Sequence, residues 1–320
     1  MAALPDPLAP PSAAIVAAEE ALLRTAGMDV ERHEMVANGT RLHYLTCGEG
    51  EPLVLLHGRG SAAARFTPVL GRLAQKRRVI ALDLPGWGLS GKPAFTGKTA
   101  EDALTVWSDG VLALLDEQKI EQADLLGHSM GGFVALGLAL AQPERVQRLI
   151  LVDAAGLGTQ IQLDARLFFA LGPEKVHRRL GRRFTRFLYA QEQQGGKRRL
   201  PGAEKPPLDG PDFDFFRAVM TEEAVIASGA KAFGAWVNLR GVHLSLADRL
   251  KELELPVLMI WGNHDALTPY PAALAASRTL RDGKLVTFLG CGHAPFAERP
   301  QDFAYVVLTW LDGIYVRSRA

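Results

Sequence analysis

Four short, mostly apolar runs recur along the first half of this chain, at residues 53–56, 79–82, 123–126 (broken once, by Asp124) and 149–152. Helical stretches over 62–74, 103–117 and 130–142 lie between them. This alternation constrains the fold more than any other feature. A strand covered on both faces has no solvent side, so it reads as a continuous hydrophobic block. Strands of that kind alternating with helices imply a parallel sheet with helices on both faces. Ahead of them, residues 31–36 and 40–47 meet at Asn38-Gly39. That dipeptide suits the two positive φ angles of a type I′ turn and predicts an antiparallel hairpin.

The rhythm breaks after Gly156. Residues from about 158 to 245 hold helical patterns with no convincing strand, and include a polar, proline-rich stretch from 191 to 211. Strand patterns resume at 257–261 and 285–289, and residues 300–315 read as a closing helix. The expected organisation is an N-terminal extension (1–30), an α/β core (31–157 and 246–320) and a helical insertion (158–245) between the sixth and seventh strands. Within the extension, residues 1–11 read as a disordered lead. Ser12 is a cap for a helix over 13–25, and Gly27 ends it.

Composition removes several functions. Thirty-six basic side chains stand against 35 acidic ones, so no overall field recruits nucleic acid. The two cysteines, Cys47 and Cys291, form neither a disulfide framework nor a zinc-type cluster, which fits a cytoplasmic setting. The N-terminus lacks the basic start of a signal peptide, and no run of about 18 apolar residues is present to span a membrane.

The chemistry concentrates in Gly127-His128-Ser129-Met130-Gly131-Gly132, a G-x-S-x-G run entered from a buried strand and left by an apolar helix. So tight a strand-to-helix turn strains the serine backbone, and the flanking glycines let neighbouring chain approach. A serine hydroxyl needs a base, and the base needs a carboxylate to hold its tautomer. His293 lies in a Gly-rich loop after the last strand, at the sheet edge where ligands bind. By contrast, His128 adjoins the serine with a diverging side chain. Asp265, just after the seventh strand, gives the order Ser129…Asp265…His293 expected of this architecture. Asp153, at the end of the sixth strand, is the rival acid. The backbone N–H groups of Met130 and Arg59 are the candidate oxyanion donors. Asp83 is assigned to tying its own turn-rich loop together.

The runs Leu-Leu-His57-Gly58, Asp83-Leu-Pro-Gly-Trp-Gly-Leu-Ser90, Gly-His-Ser129-Met-Gly-Gly, Trp-Gly-Asn-His-Asp265 and Gly-Cys-Gly-His293-Ala-Pro-Phe-Ala-Glu-Arg-Pro300 together resemble the α/β-hydrolase superfamily. The resemblance covers residues from about 31 to 156 and 246 to 316. It implies an α/β-hydrolase fold with a mostly parallel eight-stranded sheet and a helical cap inserted after strand six. It also implies an enzyme: a serine hydrolase acting on an ester, similar to carboxylesterases and monoacylglycerol-lipase-like enzymes. The alternatives are carbon–carbon hydrolysis of ring-fission products, acyl transfer to another acceptor or perhydrolysis, and, more distantly, ligand sensing without catalysis. The expected partner is a small ester or acyl substrate, and the chemistry calls for no metal or organic cofactor. Serine at 129 argues against the branches whose nucleophile is aspartate. A carbon–carbon hydrolase of this type usually carries a cap arginine for the substrate carboxylate, for which Arg59 and Arg217 are the candidates.

The insertion carries a net charge of +5 against −4 for the remainder. Arg178, Arg179, Arg182, Arg183 and Arg186 fall at helical spacing. They form either a solvated helix face or a weak contact with an anionic membrane surface or substrate. Phe168, Phe169, Phe213, Phe215, Phe216, Phe233 and Trp236 serve either as an acyl-pocket lining or as the insertion's own core.

Overall fold

A computed structural model describes residues 6–158 and 209–314. The hairpin forms as its turn dictates. Strands β1 (Glu31–Ala37) and β2 (Thr40–Cys47) pair antiparallel around Asn38 and Gly39, at φ 50° and 70°. The apolar runs become β3 (Pro52–Leu56), β4 (Arg78–Leu82), β5 (Ala123–His128) and β6 (Val146–Val152). Two more strands follow the insertion, β7 (Val257–Gly262) and β8 (Gly283–Phe288). The eight form one sheet in the order β1-β2-β4-β3-β5-β6-β7-β8. It is parallel from β4 to β8, while β2 runs antiparallel to both β1 and β4.

Helices cover both faces because the sheet has two apolar sides. Successive residues of β3 point to opposite faces, and both faces are dry. Val54 and Leu56 face one core with Trp107, Val111 and Phe133, while Leu53 and Leu55 face the other with Val69, Phe303 and Val307. The first face is covered by α3 (Ala100–Glu117) and α4 (Met130–Ala141), the second by α2 (Thr67–Leu73) and the last helix of the chain, Pro300–Leu311. Helix α3 starts at a reciprocal capping box between Thr99 and Asp102, which satisfies N–H groups that a helix start leaves open.

Between β6 and β7 the chain leaves the sheet. The described part of this insertion contains α5 (Pro211–Thr221), α6 (Glu223–Ala227) and α7 (Gly229–Trp236). Two-residue strands at Val237–Asn238 and Gly241–Val242 pair as a small hairpin that the sequence patterns did not announce. Trp236 stacks on Phe133 of α4 at 3.8 Å between ring centres, fixing α7 to the core. The arginine-rich run at 178–186, with Phe168 and Phe169, lies outside the described residues. Among the described residues no helix is long and apolar enough to cross a membrane.

The N-terminal lead departs from the expectation of disorder over 1–11 from residue 6 onward; residues 1–5 lie outside the described residues. Pro7 O accepts from Arg41 N at 3.1 Å, and Ala9 O accepts from the Arg41 guanidinium. Proline favours extended backbone but does not forbid docking, and here tertiary hydrogen bonds order it. Helix α1 (Ala13–Leu23) then begins at Ser12, whose Oγ accepts from Ile15 N, and Gly27 closes the segment at φ 71°. Ser12 Oγ also donates to Glu222 Oε2 at 2.9 Å, so the extension touches the insertion. Within α1, Ile15, Leu22 and Leu23 are buried, and so is Glu19.

Glu19 makes the first prediction. Burial pushes its carboxyl up to about 7, against the pull of His43 and Arg32 and with a further push from Asp83. His43 is also raised: burial opposes this, but bonding to Asp83 and the charges of Asp83 and Glu19 prevail. Raised folded-state values mean that the native chain holds protons the unfolded chain has already released. The stability associated with Glu19 is fully present below its ordinary value of 4.5 and is lost as pH rises through about 7. Relative to wild type, the Tm of Glu19→Gln should therefore improve between about pH 5 and pH 8, as read by thermal unfolding at the two values.

Candidate active site

Ser129 stands between β5 and α4 at φ 53°, ψ −116°. A non-glycine residue there costs about 1–3 kcal/mol and persists only if its surroundings over-determine it. They do. Ser129 N donates to Val152 O at 3.0 Å, and Ser129 O accepts from the N–H groups of Gly132, Phe133 and Ala155. Glycine is needed around it because a Cβ on Gly127 would run into Gly131 O, and one on Gly131 into Leu56 O. The start of α4 is thus pressed against the end of β3. The loop after β3 passes equally close, since a Cβ on Gly58 would lie 3.2 Å from that of Ser129. Of the residues carrying the candidate oxyanion donors, Met130 directly follows the serine and Arg59 directly follows Gly58 in this loop.

Asp265 and His293 meet although 28 residues separate them: His293 Nδ1 lies 2.7 Å from Asp265 Oδ2. A carboxylate only accepts, so Nδ1 carries the hydrogen and Nε2 keeps its lone pair. Three further donors hold the carboxylate. Leu267 N and Thr268 N reach Oδ1 at 2.7 and 3.1 Å, and Thr268 Oγ1 donates to Oδ2. Burial alone would push the Asp265 carboxyl up, but the charge and hydrogen bond of His293, with those of Thr268, hold it below the usual carboxylate range.

Asp153 lies close by. Asp153, Asp265 and His293 each bring one polar atom within 4.8 Å of the others. Its situation differs, however. Asp153 Oδ1 accepts from Gly262 N at 2.9 Å, whereas Oδ2 is buried with no hydrogen-bond partner. Burial first, and the charge of Asp265 next, push its carboxyl well above the usual range. Two carboxyl groups sharing a dry site cannot both ionise readily, so Asp265 holds the charge and Asp153 the proton. Of the two acids, it is Asp265 that contacts the His293 ring.

Two histidines given no role in the chemistry by the sequence bear on the site. The Nε2–H of His128 donates to the backbone O of His293 at 2.6 Å. Burial, with the neighbouring His293, lowers its pKa well below the ordinary value, which keeps the ring neutral. His57 Nδ1–H donates to Gly58 O at 2.7 Å, and its Nε2 accepts from Leu84 N at 3.0 Å. Their identities were visible in the motifs, but their partners depend on the folded chain. Replacing His128 by Phe removes the hydrogen bond to the His293 carbonyl and should cost about 1–3 kcal/mol in urea unfolding.

Asp83 keeps the structural role expected of it, accepting from Ala63 N, Leu89 N and His43 Nδ1. Of the candidate arginines, Arg217 is exposed and lies 3.9 Å from Asp214, on the outer side of α5. Arg59 points instead toward the insertion, 4.9 Å over the Phe233 ring. The described aromatics Phe213, Phe215, Phe216, Phe233 and Trp236 are all buried. Phe215 joins the sheet's second core and Phe233 and Trp236 the first, so packing claims these three. Phe213, Phe216 and Met220 form a separate cluster beside the oxyanion loop, where Met220 Sδ occupies the space beside Gly60.

Comparison with known proteins gives the same frame. The 2-hydroxymuconate semialdehyde hydrolase of Pseudomonas sp. (strain CF600) is 31% identical over 279 residues, covering 86% of this chain and 91% of the relative. The enzyme of that name from Pseudomonas putida is 29% identical over 283 residues, covering 87% and 93%. Among solved structures, a carboxylesterase of Bacillus subtilis superposes with a TM-score of 0.75 at 21% identity, covering 93% of this chain and 97% of its own. The model of the alpha/beta hydrolase family matches residues 53–304, from β3 into the final helix. The sheet order, the serine turn and this match together show that the chain belongs to the α/β-hydrolase family.

Proposed function

We propose that this protein is a serine hydrolase that cleaves a carboxylic ester of a hydrophobic acyl substrate through an acyl-enzyme on Ser129. The observation that carries the reading is a strained, fully braced serine at the same sheet edge as an ionised Asp265 bonded to His293. His293 Nε2 takes the Ser129 proton as Oγ attacks the carbonyl carbon. The N–H groups of Arg59 and Met130 receive the negative oxygen of the tetrahedral intermediate. His293 then passes its proton to the departing alkoxide. Water, deprotonated by His293, attacks the acyl carbon and releases Ser129. Asp265 holds the ring in the required tautomer throughout. The insertion acts as a cap over this edge, with Phe213, Phe216 and Met220 as its apolar wall.

A second reading has its own support. The two relatives above are named as hydrolases of 2-hydroxymuconate semialdehyde, and the same serine machinery would serve to cleave a carbon–carbon bond beside a ketone. Arg59, aimed at the insertion beside the oxyanion loop, is then the candidate cation for a substrate carboxylate, because Arg217 faces outward. A panel of p-nitrophenyl esters of increasing chain length, run beside one ring-fission dienoate, separates the two. Ester kcat/KM exceeding that for the dienoate supports the first reading, and the reverse order supports the second.

A further inference from the structure

Helix α1 carries a buried carboxylate that this chemistry does not use. Glu19 Oε2 lies 2.8 Å from Arg32 Nε and 3.5 Å from His43 Nε2. On its far side, His43 Nδ1 lies 3.0 Å from Asp83 Oδ2. Asp83 Oδ1 accepts from Ala63 N at 2.5 Å, in the turn that follows the oxyanion loop. The next residue, Leu84, donates its N–H to His57, and His57 donates to Gly58 O. The Gly58 carbonyl belongs to the same planar peptide as the Arg59 N–H. Fixing one end of that trans unit aims the other, so a run of buried polar contacts leads from the N-terminal helix to an oxyanion donor.

The cluster is built of charges that need one another. Asp83 is fully buried, yet bonding to His43 and the His43 charge hold its carboxyl below the usual range. The Glu19 carboxylate in turn favours the charged form of His43. Glu19, His43 and Asp83 bring donor atoms within 4.8 Å, as a metal site would. However, both Asp83 oxygens are already occupied by N–H donors, and Arg32 caps Glu19. The arrangement is an ion-pair relay.

We propose that Glu19 is a positioning residue for the oxyanion hole, acting through His43 and Asp83 on the loop that presents the Arg59 N–H. The inference rests on the proposed serine chemistry. Its test uses the full chain, with the active-site concentration set by fluorophosphonate titration so that only folded enzyme is counted. Assayed above about pH 8, where the Glu19 carboxylate is ionised, Glu19→Gln keeps the shape and removes the charge. His43→Asn keeps a donor toward Asp83 but cuts the link to Glu19. Each should lower kcat about tenfold, less than the roughly 10²–10³-fold lost when an oxyanion donor is removed outright. KM should stay within about twofold, because the loss falls on the transition state. A trifluoromethyl ketone, whose adduct places an oxyanion in the hole, should bind more weakly by the same factor as kcat falls. The double variant should be no worse than either single one, as for two members of one chain of contacts. Wild-type kcat and ketone affinity in both variants would overturn the relay, even if Tm falls. Failure of the wild type to label at Ser129 would instead overturn the serine reading beneath it.

Discussion

Replacing Ser129 by alanine is expected to lower kcat by about 10⁴–10⁶-fold while the protein stays folded. The size follows from what is removed. Without Oγ there is no covalent intermediate, and His293 has no proton to take. Residual turnover would come only from the loop donors and binding. Stability should move the other way for one variant. Ser129 sits at φ 53°, where a side chain is strained and glycine is not, so Ser129→Gly should unfold at a higher temperature than Ser129→Ala. Initial rates on a p-nitrophenyl ester, with thermal unfolding of all three proteins, check both statements. Rates for Ser129→Ala within about tenfold of wild type would remove Ser129 from the chemistry.

The two acids should separate almost as widely. Asp265→Asn is expected to lower kcat by about 10⁴-fold, because the amide no longer holds Nδ1–H and the ring loses its working tautomer. Asp153→Asn should stay within about threefold of wild type, since the change replaces a neutral buried carboxyl by an amide of the same shape. The amide oxygen can still accept from Gly262 N, and the amide NH₂ can donate toward Asp265 as the Asp153 proton does. The pH dependence has a definite sign. Asp265 ionises more readily in the folded chain, so its contribution to stability is present above the ordinary carboxylate range and is lost on acidification. Asp153 is raised, and its contribution is lost as pH rises instead. The kinetic comparison decides the assignment: loss of turnover in Asp153→Asn alone would move the acid to strand β6.

Much of this was legible in the chain because local rules wrote it. Asn38-Gly39 sets its own turn, the apolar blocks at 53–56 and 79–82 set buried strands, and the glycines at 127, 131 and 132 leave room for the serine turn. The pairing of Asp265 with His293 was legible for a related reason, since each follows a strand end at one edge of a parallel sheet. What was not legible depends on distant partners. His128 contacts a carbonyl 165 residues away, and nothing near it in sequence signals that bond. The proton on Asp153 follows first from burial in the folded chain and then from the charge of Asp265, brought in after β7. The lead reads as disordered over 1–11 by composition, yet Arg41 on β2 supplies donors that order its described part. The charged oddity in α1, Glu19, breaks the apolar face of its helix, and its meaning appears only beside His43 and Asp83.

The central claim is that Ser129 is an activated nucleophile held by the contacts described above. Fluorophosphonate labelling of the folded protein, read by intact mass and peptide mapping, tests it most directly. One adduct per chain is expected, on Ser129, formed slowly in His293→Ala and absent from Ser129→Ala. Folded wild-type protein that takes no label at Ser129, or takes it as fast without His293, would contradict the claim.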